Sequence, residues 1–220
     1  KSTMKSQRIC LLGCGMIVAL LAGSVSAHEA GDWIVRAGAL LVDPKSDNGK
    51  IGSGPGAIEI QVEDDTMFTF DITYMLTQNW GVELLAAAPF EHDIKVGGSN
   101  IASTKHLPPT LSVVYNFLPE AKFQPYAGVG LNYTLFFDED LDGGALGDPG
   151  ADLNLDDSVG VAAVIGVDVD LGNEWFLNAV VRWFDIDTDA DVKFTNGSKL
   201  DLGTVEIDPW AFGVNVGRRF

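Results

Sequence analysis

Two cysteines are all that the 220-residue chain contains, and both, Cys10 and Cys14, fall in its first segment. Beyond them no thiol is left for a disulfide or a thiolate metal site, so stability must come from burial and hydrogen bonding. No apolar run after Leu21 reaches the roughly 18 residues that a spanning helix needs, which excludes helical membrane spans. Basic residues are also few, 14 against 31 acidic ones. A surface of that balance repels phosphate backbones, so no nucleic-acid partner is expected. Histidine is scarce as well. His28, His92 and His106 are the whole set, and none stands in a nucleophile or metal constellation. G-x-S-x-G and H-E-x-x-H are both missing, so neither an enzyme nor a cofactor is expected.

What is present begins with a leader. Lys5 and Arg8 form a basic region if translation starts at Met4, which leaves residues 1–3 upstream of the start. An apolar run covers residues 9–21, and Val25-Ser26-Ala27 supplies small residues for cleavage. That is the pattern of a secretory signal peptide over residues 1–27, with one domain over 28–220. The 13-residue run is too short for an anchor of about 20. Leu11-Leu12-Gly13-Cys14 has the form of a lipoprotein box, but the apolar run continues past Cys14 and the site at Ala27 fits better. Without the leader eleven basic residues remain, for a formal charge of −20. A hydrophobic content of 46% nevertheless excludes a disordered acidic chain, so the acid must be segregated from the apolar parts.

Period-two alternation recurs in eight blocks: about 32–43, 66–76, 80–90, 103–117, 123–137, 157–170, 175–186 and 208–220. Such blocks of about ten residues predict an all-β fold, an eight-stranded antiparallel transmembrane β-barrel. In the seventh, Trp175, Leu177, Ala179, Val181 and Trp183 share one face, opposite Phe176, Asn178, Val180 and Arg182. Eight steps between the tryptophans, at about 3.3 Å each and a tilt near 40°, give roughly 20 Å of height, close to a lipid-facing band. In the last block Trp210, Phe212, Val214, Val216 and Phe220 oppose Ala211, Gly213, Asn215, Gly217 and Arg219, small and polar as a narrow lumen requires. A soluble sandwich would alternate too, but its small, glycine-rich face would make a poor core. Short links (residues 77–79, near 119–120, and 172–173) alternate with long ones. This predicts tight periplasmic turns and long extracellular loops.

The acid concentrates in the long links: residues 138–157 hold eight acidic side chains and no basic one. There Asp138, Asp140, Asp142 and Gly143 fit the start of a calcium loop, but the twelfth position is Pro149 instead of a bidentate glutamate. A solvated acidic loop is the expectation, with a weak divalent site as the alternative. Inward-facing charges of both signs (Arg36, Asp71, Glu83, Asp168, Arg182 and Arg219) are expected to pair, because an unpaired charge in a partly dry lumen is costly. Arg182 is expected to meet Glu83 or Asp71. Pro89, Pro108 and Pro109 lie where strands three and four should pair, and a proline removes a ladder donor. Centring the link near Gly97 puts Pro89 opposite about Lys105. A gap in the wall is expected there, the plainer alternative being that the prolines only end strands.

Further stretches resemble the outer membrane protein W family, which includes porins for alkane uptake. They are His28-Glu29-Ala30-Gly31-Asp32, Gly81-Val82-Glu83-Leu84-Leu85-Ala86-Ala87 with Pro89-Phe90, and His106-Leu107-Pro108-Pro109-Thr110-Leu111. Gln124-Pro125-Tyr126, Asn132-Tyr133-Thr134, Asp185-Ile186-Asp187-Thr188 and Asp208-Pro209-Trp210 follow in order before Arg219-Phe220. The resemblance implies a narrow hydrophobic channel that opens outward, closes toward the periplasm and has a lateral opening. Two departures stand out. Arg182 occupies a place where the family often has a bulky apolar side chain. Arg218 replaces the aromatic two residues before the end of the insertion signal, which Phe212, Val214, Val216 and Phe220 otherwise keep.

The expected function is therefore passive uptake of small hydrophobic solutes past a wall near Leu85, with release sideways into lipid. An apolar solute gains about 25 cal/mol per Å² on leaving water, so delivery needs no energy coupling. The alternatives are a filled barrel that anchors acidic surface loops, or a weak cation-selective pore. Expected partners are outer-membrane lipid, lipopolysaccharide and the barrel-assembly machinery, for a monomer.

Overall fold

The computed structural model describes residues 28–45, 48, 50–51, 58–88, 90–96, 98–141 and 147–220. Residues 1–27, where a leader was expected, and Pro89, Gly97, Asp142 and Gly143 lie outside the described residues. Among the described residues the first strands are β1 (Trp33–Asp43), β2 (Lys50–Ile51), β3 (Ile58–Val62), β4 (Asp65–Met75) and β5 (Trp80–Ala87). Next come β6 (Phe90–Val96), β7 (Ser99–Leu107), β8 (Thr110–Asn116), β9 (Phe123–Leu141) and β10 (Asp152–Leu155). The last are β11 (Ser158–Gly172), β12 (Trp175–Phe184), β13 (Asp187–Lys193), β14 (Lys199–Glu206) and β15 (Trp210–Arg219).

Eight of these close a ring in the order β1, β4, β5, β8, β9, β11, β12, β15 and back to β1, every neighbour antiparallel. Closure removes every free edge within the ring. Registered partners followed once round from Trp33 are Tyr74, Val82, Val113, Val129, Ala163, Trp183 and Trp210. The path ends on Asp43, ten residues further along β1. Eight strands with that stagger give a tilt of roughly 40° and a backbone diameter of roughly 16 Å, which one layer of side chains fills.

The outward face is apolar where water would make it costly: Val129, Ile165 and Val214 are 70%, 68% and 67% exposed. Aromatic side chains rim the short-turn end, where Trp33 lies against Tyr74 and Trp80 against Tyr115 at centroid distances of 4.9 and 4.8 Å. Trp183 and Trp210 are registered partners at the opposite rim. Inward glycines leave room for the lumen's rings. A Cβ on Gly166 would lie 2.4 Å from the Tyr126 ring, and one on Gly217 2.1 Å from the Phe176 ring. The turn between β11 and β12 takes Asn173 and Glu174 at φ of 55° and 68°, as a two-residue hairpin with the twist of its strands does.

The long links differ from the expected loops. β9 runs on past the ring and pairs with β7, which continues through β6, β3 and β2; β10, β13 and β14 form a separate sheet. Acid hides these strands in the sequence. In β13 Asp187, Asp189 and Asp191 take one face while Thr188, Ala190 and Val192 are buried on the other. Residues 138–157 are likewise not one solvated loop. Asp138 and Asp140 lie on β9, Asp138 sits at a register shift with φ 52°, and its carboxylate meets Lys105 Nζ at 3.3 Å. The Lys105 ammonium thus faces the first position of the broken calcium motif.

Candidate functional site

Alternation places a charged layer across the lower lumen. Arg36 on β1 reaches Asp168 on β11 through Nε (3.2 Å) and Nη2 (2.6 Å), and through Nη1 it reaches Asp71 (2.9 Å) and Thr73 (3.1 Å) on β4. The same Nη1 is 3.5 Å from Glu83 Oε2, and Glu83 Oε1 accepts from Arg182 Nη1 at 2.7 Å. Asn178 donates to Asp168 (2.7 Å) and to the Tyr126 hydroxyl (3.1 Å), and the Arg36 guanidinium lies 5.1 Å from the Tyr126 ring centre. All of these side chains are buried, so each charge depends on its partners for solvation. Five of the six expected lumen charges thus form one network.

Arg219 is the sixth and sits apart, at the short-turn mouth. It donates to Glu174 at 2.7 Å and lies 3.3 Å from His28 Nδ1 and 3.9 Å from Asp32. Burial, and after it the Arg219 and Arg36 charges, hold the His28 imidazole down at about 4. His28 is therefore a buried, neutral ring at neutral pH. Sequence reading placed it only at the terminus. The buried parity of Ile34 and Arg36 could have suggested that the preceding segment turns inward too.

Above the charges the lumen becomes apolar. Leu85, two residues beyond Glu83 on the same face, packs in a cluster with Leu40, Met67, Phe184 and Ala211. Leu85 thus belongs to a packed layer next to the open space and is not among the described residues that line it. The cluster continues upward through Phe136, Ile60, Val205 and Ile207 into a chamber of about 410 Å³ between the two outer sheets. Thr104, His106 and Thr188 also line it, residues that sequence reading left unassigned.

Beside the lower edge of the chamber the wall is interrupted. β5 pairs with β8 up to Leu85↔Thr110, and β6 pairs with β7 from Phe90↔His106 upward. Among the described residues no ladder pair joins Ala86–Ala88 to Leu107–Pro109. On its other side the same stretch stays bonded to β9, through Leu107↔Leu135 and Tyr133 N to Pro109 O at 3.0 Å. Pro108 is buried, and its carbonyl accepts from Thr110 (3.1 Å) and Asn132 (3.3 Å). The expected register was two residues off, since Lys105 pairs with Glu91. The pair Val96↔Ser99 keeps the centre of the link near its expected place, and a further register shift lies between Ile94 and Lys95.

At the carboxy-terminal end Phe212, Val214, Val216 and Phe220 all face outward. Arg218 does so too, its guanidinium 5.4 Å from the Trp175 ring centre and 4.9 Å from that of Phe220. The cation therefore lies over aromatic faces at the rim, where its head can reach headgroups.

A closed eight-stranded ring with an apolar belt, aromatic rims, tight turns at one end and built-out strands at the other is a bacterial outer-membrane β-barrel. The chain belongs to the OmpW family, which it matches over residues 29–220. It is 41% identical to outer membrane protein W of Vibrio cholerae serotype O1 over 221 residues, covering 97% of this chain and 99% of that one. It is 28% identical to outer membrane protein AlkL of Ectopseudomonas oleovorans over 203 residues, with 89% and 85% covered. The crystal structure of OprG from Pseudomonas aeruginosa superposes with a TM-score of 0.78 at 37% identity, covering 88% of this chain and 98% of that one.

Proposed function

We propose that the barrel is a passive channel that admits small hydrophobic molecules from outside the cell and releases them sideways into the outer membrane. The observation that carries this reading is the apolar chamber of about 410 Å³ that borders an interrupted wall and stands over a blocked floor. A volume in that range suits a small organic molecule. Downward passage would require an apolar solute to displace the Arg36–Asp168–Asp71 and Arg182–Glu83 pairs, whereas sideways passage at Ala86–Ala88 breaks no ladder bond among the described residues. Lipid waits on that side, and transfer into it is downhill. Resemblance to a family that includes alkane-uptake porins supports the same reading. It involves no covalent chemistry and no cofactor.

The test uses the absence of cysteine after Cys14. Ala87→Cys with Pro108→Cys places two thiols across the interruption. Cells carrying the pair should take up a labelled hydrocarbon at the normal rate when reduced and several-fold more slowly when oxidised. Equal uptake by a fully cross-linked, well-assembled barrel excludes a lateral exit there.

A further inference from the structure

The chamber has few polar groups. Of its 21 lining residues among those described, 17 are apolar, so a solute's polar group finds few partners. The others are Ser99, which is exposed, and the buried Thr104, His106 and Thr188. A hydroxyl has one proton to donate and two lone pairs with which to accept. Thr188 Oγ1 donates its proton to the Asp156 carbonyl at 2.6 Å, whereas Thr104 Oγ1 lies 3.4 Å from the Lys105 carbonyl, too far to hold its proton firmly. With its proton held by the wall, Thr188 has only lone pairs left to offer the chamber. The His106 imidazole is engaged with its surroundings and tilts against the Phe136 ring at 5.7 Å. No lysine or arginine is among the described lining residues.

We propose that the chamber selects apolar solutes that carry a single hydrogen-bond donor, an O–H or N–H, over hydrocarbons of equal size and over solutes whose polar atom only accepts. This rests on the uptake reading above and narrows its substrate class. A solute that enters the chamber gives up its hydrogen bonds to water. A donor regains one on Thr188. An ether or ketone oxygen meets further lone pairs and stays unsatisfied, which is costly in an apolar wall. A carboxylate meets the same lone pairs as a full negative charge, under a chain with 31 acidic residues. The favoured class is thus a neutral alcohol, phenol or aromatic N–H compound.

The experiment compares constitutional isomers, so that size and composition cancel. Purified barrel in nanodiscs is titrated with 1-decanol and with 1-methoxynonane, and protein-free nanodiscs supply the membrane-partition blank. Decanol should bind about tenfold more tightly, the value of one modest hydrogen bond. Thr188→Val should bring the two affinities together without weakening the ether, and Thr188→Ser should restore the preference. Thr188→Ala repeats the comparison should Thr188→Val assemble poorly. Equal affinities in the unmodified protein overturn the donor preference and leave hydrophobic uptake standing. Binding of neither isomer overturns both readings. A preference that persists in Thr188→Val shows that Thr188 is not its origin and overturns the proposal.

Discussion

Arg182 Nη1 lies 2.7 Å from Glu83 Oε1, with both side chains withdrawn from solvent at the boundary between the charged layer and the apolar one above it. Taking away one partner leaves the other charge buried. Arg182→Met should therefore destabilise the barrel by about 3 kcal/mol, softened where Arg36 still approaches Glu83. The melting point, followed by the gel shift between folded and boiled protein, should drop. Glu83→Gln added to Arg182→Met should recover most of the loss. A single variant as stable as the parent would contradict the pairing.

The His28 prediction concerns pH. In the unfolded chain the imidazole titrates near 6.5 and in the folded barrel near 4. Above 6.5 it is neutral in both states. As pH falls from 6.5 to 4 the unfolded chain takes up a proton that the folded one refuses, so stability declines across that window by up to about 3 kcal/mol and is flat in this respect below it. An imidazole NMR titration should show a midpoint near 4. A midpoint near 6.5 would mean that the ring is solvated.

Gly166 is held to glycine by the ring that lies on it. Gly166→Ala puts a Cβ 2.4 Å from Tyr126 in a strand that cannot move without breaking its ladders with β9 and β12. A loss of about 1–3 kcal/mol is expected. Tyr126→Leu in the same chain should relieve it, at the expense of the Asn178 hydrogen bond. Two variants of equal stability would rule out steric conflict at this contact.

Removal of Phe220 should reduce assembly far more than removal of Lys1. Its backbone exchanges hydrogen bonds with Trp33 (2.9 and 3.0 Å), and its ring carries Arg218. The amount of heat-shifted, membrane-embedded protein measures the effect. Normal assembly of the truncated chain would place the signal elsewhere.

The ring was largely legible because each wall keeps strict parity. Trp175 to Phe184 alternates without fault, and that parity alone sent Arg182 inward. The outer strands were not legible, because Asp187, Asp189 and Asp191 satisfy a solvated face while β13 buries only Thr188, Ala190 and Val192. Nor could local pattern show that Arg36 grips Asp168. That contact spans the lumen, and its height depends on a ten-residue stagger summed over eight interfaces. His106 was missed for a related reason: it becomes interior only because β7 follows β9 beyond the ring.

The seam between β1 and β15 joins the first wall to the last, whereas β4 with β5, β8 with β9 and β11 with β12 are joined by tight turns. Hairpins of that kind form in about 1–10 μs, but the seam must wait for its distant partner. A chain exported from its amino-terminal end releases β1 first, with one row of backbone groups unpaired until β15 emerges. For that interval β1 is an apolar edge in water, open to the wrong strand of another chain. Until the last strand arrives, Trp33 to Asp43 is thus the stretch of this barrel most exposed to mispairing, and the order in which its strands emerge sets how long that exposure lasts.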